Sequence, residues 1–565
     1  MGKRVARVLM GVVVASAMLV TSPVRVEAQL STQPFAAYGS AAAVALNALA
    51  LGTTQVANTQ VALSAGVVNS TGLNGTVNNQ FGQAVGPPQP GKNAYGRGTG
   101  VEIGLLTQTP QPTDLNQIKL AQLAEATAPP PSPLITKEIP IALPGLLTAS
   151  TARGQAQATY DPNFCPIGRP LTYGLGFVEN LQALPGPAGG LIGTSATGNS
   201  VTQTRTVTYL VPNGDGTFGV VAESQAIVAP ISVAGTGITI DVAGPIGFRV
   251  TATGKPGDPR NGAAYTGTPV ITVRLNGLPL IDLGLQDILG AGGIDLNIPP
   301  APLPALVGLS VGAPIKGLSG AGAPAVAPDG TSASASADTL RLRLLQLPGI
   351  SALDVGVGHF EGAVSVPAGG VRCNLPVSKV ANPDPVPVGG EFVFTISIPS
   401  DPALFNALFS CDLVNIRAVD TVEVASGSVT FTILGADRGG VVGPANVVTF
   451  DNLGSYALGD PPIQLNIRVR VDSASGEAVL RDIVDVSAAL GNCRGRAAGD
   501  DLVIGSGQIE GAAITGRFVL NAPTIAGGNL ATTGGTSAPL VMGGALVLGG
   551  LGLMRLRRTL IQRRV

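Results

Sequence analysis

The clearest pattern in the chain is an alternation of apolar and polar side chains over residues 463–472. The apolar positions are Ile463, Leu465, Ile467, Val469 and Val471, and the polar ones are Gln464, Asn466, Arg468, Arg470 and Asp472. Successive side chains of a strand point to opposite faces of its sheet, so this segment predicts a strand with one buried face in an antiparallel sheet. A sandwich of two sheets is the usual setting for such a strand.

A second pattern, in the middle of the chain, predicts a β-hairpin. Residues 204–210 are rich in β-branched and aromatic side chains, the turn sequence Asn-Gly-Asp-Gly follows at 213–216, and a second apolar run occupies 218–222. Further strands are predicted at 248–253, 270–275, 340–344 and 353–357. Residues 278–314 are predicted to hold short helical turns, and residues 114–126 fit a helix or a strand.

Composition agrees with a chain of many strands and turns. Glycine accounts for 78 residues and proline for 45, while only 12% of the residues are charged. Disordered chains combine low hydrophobicity with high net charge, which this chain does not show. The predicted fold class is therefore mainly β, with a large antiparallel β-rich region over residues 29–372 and a β-sandwich over residues 373–495.

Both ends of the chain carry segments typical of export and retention. Lys3, Arg4 and Arg7 precede an apolar run over residues 8–20, and a candidate cleavage site with small residues follows, ending at Ala28. Residues 1–28 are therefore predicted to be a signal peptide that is cleaved after Ala28. At the other end, residues 535–565 contain an apolar segment followed by five arginines. That order is typical of a stop-transfer signal whose basic end stays in the cytoplasm.

A short motif precedes the apolar segment. It consists of Leu530, Ala531, Thr532, Thr533 and Gly534. Together with the tail, this L-A-x-T-G order resembles the sorting signal read by class E sortases of high-GC Gram-positive bacteria. The resemblance implies cleavage between Thr533 and Gly534, attachment of Thr533 to a cell-wall amine, and a sortase and peptidoglycan as partners. The alternative is a single-pass membrane anchor, and in either case residues 496–529 are interpreted as a C-terminal extension and linker.

A second resemblance concerns residues 374–495. Residues 377–396, 411–416 and 463–471 resemble the conserved repeat domain of bacterial surface proteins, which implies an immunoglobulin-like (Ig-like) β-sandwich used as a stalk or spacer. An insertion over residues 402–409 is predicted to add a helical turn. Two short segments of the first region, residues 35–40 and 357–362, are similar to actinobacterial surface proteins with interchangeable C-terminal anchors. This resemblance implies a location at the cell surface and says nothing about an activity.

Charge argues against nucleic acid as a partner. Residues 1–28 hold four basic residues and one acidic residue, and residues 535–565 hold five basic ones, so removing both ends reduces the totals of 33 and 34 to 24 basic and 33 acidic residues. The resulting net charge of −9 disfavours nucleic acid and anionic lipid, which are bound by basic patches.

No catalytic, metal or cofactor site is predicted, and the chain is interpreted as non-enzymatic. Its only histidine, His359, is expected to be solvated or hydrogen-bonded, and one histidine cannot form a multi-histidine metal site.

The sandwich contains five acidic candidates for carboxylate chemistry, namely Asp412, Asp420, Glu423, Asp482 and Asp485. Asp482 and Asp485 should lie on opposite strand faces. An isopeptide bond between Lys379 and Asn415 is disfavoured because the sequence places no acid beside them.

The four cysteines predict two disulfides in an oxidising compartment. Cys411 and Cys493 both fall in the sandwich and are paired with each other, which leaves Cys165 and Cys373 to fasten the two ends of the middle region. The alternative is four buried free thiols.

Together these observations predict an extracellular, wall-anchored protein with a structural, spacer or adhesive role and an unknown ligand or surface. The alternative function is a single-pass membrane-anchored, extracellular ligand-binding protein.

Overall fold

A computed structural model describes residues 34–526 except for 52–53, 81–83, 109–116, 119–121, 144–146, 163–164, 187–188, 195–200, 234–236, 291, 299–306, 313, 348–349 and 494–508. The predicted signal peptide, sorting motif and apolar tail lie outside these residues. The described part is mainly β with antiparallel pairing, so the predicted fold class is confirmed.

The first region consists of antiparallel strands that are between two and 16 residues long. They are β1 (Ala36–Leu51), β2 (Thr54–Asn69), β3 (Val77–Asn78), β4 (Ala84–Gly86), β5 (Ala94–Gln108), β6 (Gln117–Ile118), β7 (Ala124–Ala128), β8 (Ser132–Leu143), β9 (Leu147–Ala158), β10 (Thr172–Glu179), β11 (Gln182–Gly186), β12 (Gly189–Thr194), β13 (Val201–Pro212), β14 (Thr217–Ile227), β15 (Ile231–Val233), β16 (Ile238–Ala243), β17 (Ile246–Ala252), β18 (Gly262–Thr266), β19 (Val270–Leu275), β20 (Leu278–Gly284), β21 (Ile294–Ile298), β22 (Val307–Val311), β23 (Ala325–Val326), β24 (Ser332–Leu347), β25 (Ile350–Ser365) and β26 (Val371–Arg372), with one short helix, α1 (Leu285–Gly290).

These strands form two large sheets and one small hairpin. The first sheet has the order β21-β22-β24-β25-β1-β2-β5-β6, with β23 and β7 on its edges. The second has the order β18-β17-β14-β13-β10-β9-β11-β12-β15-β16-β19-β20, with β26 and β8 attached. Strands β3 and β4 pair only with each other. Strands β1, β2 and β5 of the first sheet lie against β9, β10, β13 and β14 of the second.

Small side chains let these two sheets approach closely. A Cβ atom added to Gly96 would lie 2.5 Å from the carbonyl oxygens of Gln157 and Tyr173. Buried hydroxyls also connect the two sheets. The hydroxyl oxygens of Ser64 and Thr206 are 2.8 Å apart, and the Thr204 hydroxyl donates to the carbonyl of Ala62 at 2.6 Å. Glycine, alanine, serine and threonine therefore form much of this interface, and backbone groups of one sheet are hydrogen-bonded by hydroxyls of the other.

The second region forms two further sheets. Its elements are β27 (Ser378–Asn382), β28 (Val386–Pro387), β29 (Glu391–Ile398), α2 (Pro402–Leu408), β30 (Asp412–Ser426), β31 (Val429–Ala436), β32 (Val441–Val442), a 3₁₀ helix (Pro444–Asn446), β33 (Val447–Phe450), β34 (Ile463–Ala474), β35 (Ala478–Gly491) and β36 (Ala513–Ala526). One sheet has the order β27-β29-β34-β31 and the other β28-β36-β35-β30-β33-β32. Buried apolar residues from both sheets belong to one core.

Several sequence predictions are confirmed in these elements. Strand β34 buries one face and exposes the other, and β13 and β14 form the predicted hairpin. The insertion before Cys411 is the helix α2, which Asp401 caps by accepting a hydrogen bond from the Leu404 N–H. The strand predicted at 248–253 overlaps β17, which ends at Ala252, and the other three fall within β19, β24 and β25.

Other predictions need correction or refinement. Residues 496–529 were expected to be an extension and linker, but β36 lies inside the six-stranded sheet, paired with β35 over most of its length. The prediction failed because residues 513–526 alternate only weakly in hydropathy and gain their burial from tertiary pairing. Between residues 278 and 314 the described segments are mostly strands, with α1 as the helical turn. In the ambiguous segment, residues 117–118 and 124–126 are strand.

The strand registers give the second region two distinct ends. At one end, Asp412 pairs with Gly491 and Ala489 pairs with Ala513. At the other end, Ala478 pairs with Ile525. We call the first the junction end, because it contacts the first region, and the second the exit end, because β36 leaves the sheet there at Ala526.

Candidate functional site

The predicted sorting motif, residues 530–534, lies outside the described residues. Strand β36 ends at Ala526, four residues before Leu530. In the part of the chain that the structure describes, no helix combines the length and the apolar character needed to cross a membrane.

The two disulfides present in the structure join the same cysteine pairs that the sequence predicts. Cys165 bonds to Cys373 with their Cα atoms 5.3 Å apart, and Cys411 bonds to Cys493 with their Cα atoms 4.0 Å apart. Disulfides persist in oxidising compartments, so both bonds are consistent with an extracellular protein.

Both disulfides lie beside the contact between the two regions. Ile167 forms a parallel bridge with Phe409, and the buried Arg169 donates to the carbonyl of Phe409 at 3.1 Å and to that of Asn406 at 2.7 Å. We call residues 165–169 and 406–411 the junction. Since Cys165 and Cys411 each lie in one of its two segments, the disulfides fix both sides of this contact.

A buried polar cluster occupies the outer face of the first sheet. His359 of β25 is 2% exposed, and its two ring nitrogens lie 2.7 Å from Asp338 and 2.8 Å from Glu361. The Tyr38 hydroxyl donates to Glu361 at 2.6 Å. Gln80, from the loop after β3, donates its backbone N–H to Glu361 and places its side-chain amide 3.0 Å from His359. The sequence predicts that His359 is either solvated or hydrogen-bonded. The structure shows that it is hydrogen-bonded and buried.

Electrostatics favour the protonated form of His359 in this cluster. Burial alone would lower the pKa of His359, but the neighbouring carboxylates of Asp338 and Glu361 outweigh it and raise that pKa to about 9 from 6.5. Burial opposes ionisation of Asp338 as well, yet His359 holds the pKa of that carboxyl below its usual value. An imidazolium between two acids has no free lone pair with which to accept a proton.

A second buried ion pair lies on the same face. Arg97 is paired with Glu102 and also donates to the carbonyl of Ala84. Both side chains are buried, and the neighbouring Gln60 amide has no hydrogen-bond partner among the described residues. Sequence reasoning missed this pair, because Arg97 and Glu102 are five residues apart on the same strand, β5, and strict alternation would place them on opposite faces.

An open groove of about 840 Å³ runs beside Tyr38. Residues 72–77 and 324–327 line it together with residues of β1, β2, β24 and β25. The groove is next to the histidine cluster because Tyr38 lines the groove and also binds Glu361.

The acidic candidates of the second region separate as the strand periodicity requires. Asp482 is buried and Asp485 is exposed on the opposite face of β35. Asp420 and Asp482 meet in the core around Lys379, whereas Asn415 is exposed. Among the described residues no group of three His, Cys, Asp or Glu side chains is placed to hold a metal ion.

Comparison with protein-family models gives no match, and comparison with curated proteins gives no significant match.

Proposed function

We propose that this chain is an exported surface protein that a sortase attaches to peptidoglycan through Thr533, with a structural, spacer or adhesive role. The second region acts as the spacer, and the first region faces outward. The proposal draws on the motifs at the chain ends, on the disulfides and on the position of the two ends of the second region.

The observation that carries the proposal is the distance between the junction and the point where the chain leaves the second region. Strand β36 begins at the junction end, where Thr515 bridges Asn374, and finishes at the exit end, where Ile525 pairs with Val386. At about 3.3 Å per residue, its 14 residues span roughly 45 Å. A chain fixed to a wall just after residue 526 would therefore hold the first region at least that far from the attachment point.

Anchoring is tested by Thr533→Ala in the native host. The variant should leave the wall fraction and appear in the membrane or the medium, because the peptide bond that sortase cleaves follows Thr533. Thr532→Ala is the matched control, since it changes the variable position of the motif and should stay wall-bound. Thr533→Ala protein still linked to peptidoglycan would disprove attachment at this residue.

A second candidate is a membrane-anchored, extracellular ligand-binding protein, and the groove beside Tyr38 favours it. Purified mature protein would then retain a component of a cell-envelope extract, and Ala363→Phe, which narrows the groove, would release it. Detergent extraction of the wild-type chain without wall digestion would support this candidate over the first.

A further inference from the structure

The core of the second region contains one lysine and two aspartates with no exposed side-chain surface. Lys379 lies on β27 of the four-stranded sheet, and Asp420 and Asp482 lie on β30 and β35 of the six-stranded sheet. The Lys379 amine contacts both carboxyl groups, and all three side chains are 0% exposed. The ring of Phe394 covers the amine, with its centroid 4.6 Å away.

An ion pair at this position is poorly solvated. Lys379 contacts one oxygen of each carboxyl group, but the second oxygen of Asp420 and the second oxygen of Asp482 accept no hydrogen bond among the described residues. Buried charges are normally surrounded by further hydrogen bonds, because desolvation otherwise exceeds the attraction within the pair. The arrangement thus brings an amine against two under-satisfied carboxyl groups in a site from which water is excluded.

We propose that Lys379 and Asp482 are joined by an intramolecular amide bond that links the two sheets, with Asp420 as the proton acceptor. The Lys379 ammonium gives one proton to Asp420, and the freed amine attacks Cγ of Asp482. A C–N bond forms, the C–OH bond of Asp482 breaks, and the hydroxyl leaves as water with the second amine proton. Asp420 ends as a neutral acid beside a neutral amide, so no charge remains in the core.

The roles of the two aspartates follow from their surroundings. Burial raises the pKa of Asp482 well above its usual value, and the nearby charge of Asp420 adds to this, so Asp482 holds the proton that makes its hydroxyl a leaving group. Asp420 is the carboxylate that accepts the hydrogen bond of the ammonium, so it is placed to take up the proton. The sequence pointed to Lys379 but not to its partners, because Asp420 and Asp482 meet only through the antiparallel pairing of β30 with β35.

Intact mass measures the bond directly. The folded full chain, after reduction of its disulfides and denaturation, should be lighter than its sequence by one water molecule, and digestion should yield a β27 peptide joined to a β35 peptide. Lys379→Met keeps an apolar stem in the core and should restore the full mass. Asp420→Ala should also have the full mass, because the proton acceptor is gone.

Asp485→Asn is the matched control. It changes an aspartate on the exposed face of the same strand and should keep the cross-link. Full mass in the folded wild-type chain would overturn the proposal, and a cross-link mapped to Asp420 instead would overturn the assignment of roles. Because the measurement needs neither a wall nor a sortase, its failure would not affect the proposed function.

Discussion

At the scale of single residues, the described structure concentrates its buried charge in a few cooperating groups. His359 lies between Asp338 and Glu361, and Arg97 lies beside Glu102. Removing one partner of a buried charged group leaves the other uncompensated, which typically costs about 3–5 kcal/mol. We therefore expect each of these residues to contribute to stability.

The His359 cluster should make stability depend on pH. Because folding raises the pKa of His359 from 6.5 to about 9, its contribution is fully present below pH 6.5 and is lost as pH rises to about 9. The loss should be on the order of 3 kcal/mol in the free energy of unfolding. Urea denaturation at a series of pH values measures it.

His359→Gln is the control for this prediction. The variant should be less stable at pH 6 and should show no comparable fall between pH 6.5 and 9. Asp338, Glu361 and Gln80 lie against His359, and the hydroxyl of Tyr38 binds Glu361. Burial and Glu361 raise the pKa of Tyr38 well above 10, so the tyrosine does not titrate in this window. Equal slopes in the two proteins would refute the assignment of the titration to His359.

At the scale of elements, the close approach of the two large sheets depends on glycine. Gly96→Ala would bring a methyl group within 2.5 Å of two carbonyl oxygens of the facing sheet. Overpacking of this kind costs about 1–3 kcal/mol, so the denaturation midpoint should fall with an unchanged slope. Gly75→Ala, where nothing lies within 4 Å of the added atom, should leave the midpoint in place.

The elements also show where sequence reasoning succeeds and where it stops. Strand β34 and the hairpin of β13 and β14 were predictable because alternation and turn chemistry are local. Strand β36 and the carboxylate pair Asp420 and Asp482 were not, because each depends on a partner strand that is remote in sequence. The disulfide pairs were predictable only because the four cysteines divide between two predicted regions.

At the scale of the whole molecule, the junction should control how the two regions move together. Arg169→Ala removes the hydrogen bonds to Asn406 and Phe409, so amide exchange should rise in residues 406–411 while the cores of both regions stay protected. Arg438→Ala, on a turn that follows β31, is the comparison variant and should change nothing there. Unaltered exchange at residues 406–411 in the Arg169 variant would mean that the backbone bridge between Ile167 and Phe409 and the disulfides hold the junction without Arg169.

The disulfide between Cys165 and Cys373 should contribute to global stability. It closes a loop with a sequence separation of 208, and in the chain-entropy model such a bond adds about 4–5 kcal/mol by restricting the unfolded chain. The double variant Cys165→Ser, Cys373→Ser should therefore unfold at a clearly lower denaturant concentration. A midpoint equal to that of the wild type would show that the model overstates the effect.

The opposite positions of the junction and the exit end also determine how the second region would respond to tension. A pull applied at Cys373 and at Ala526 runs along the strands, because the chain enters at one end of the sheets and leaves at the other. The ladder bonds that join β36 to β35 would then be loaded together in shear, whereas a pull at one end would open them one after another. Under such a pull, the load would be carried along the strands of the second region.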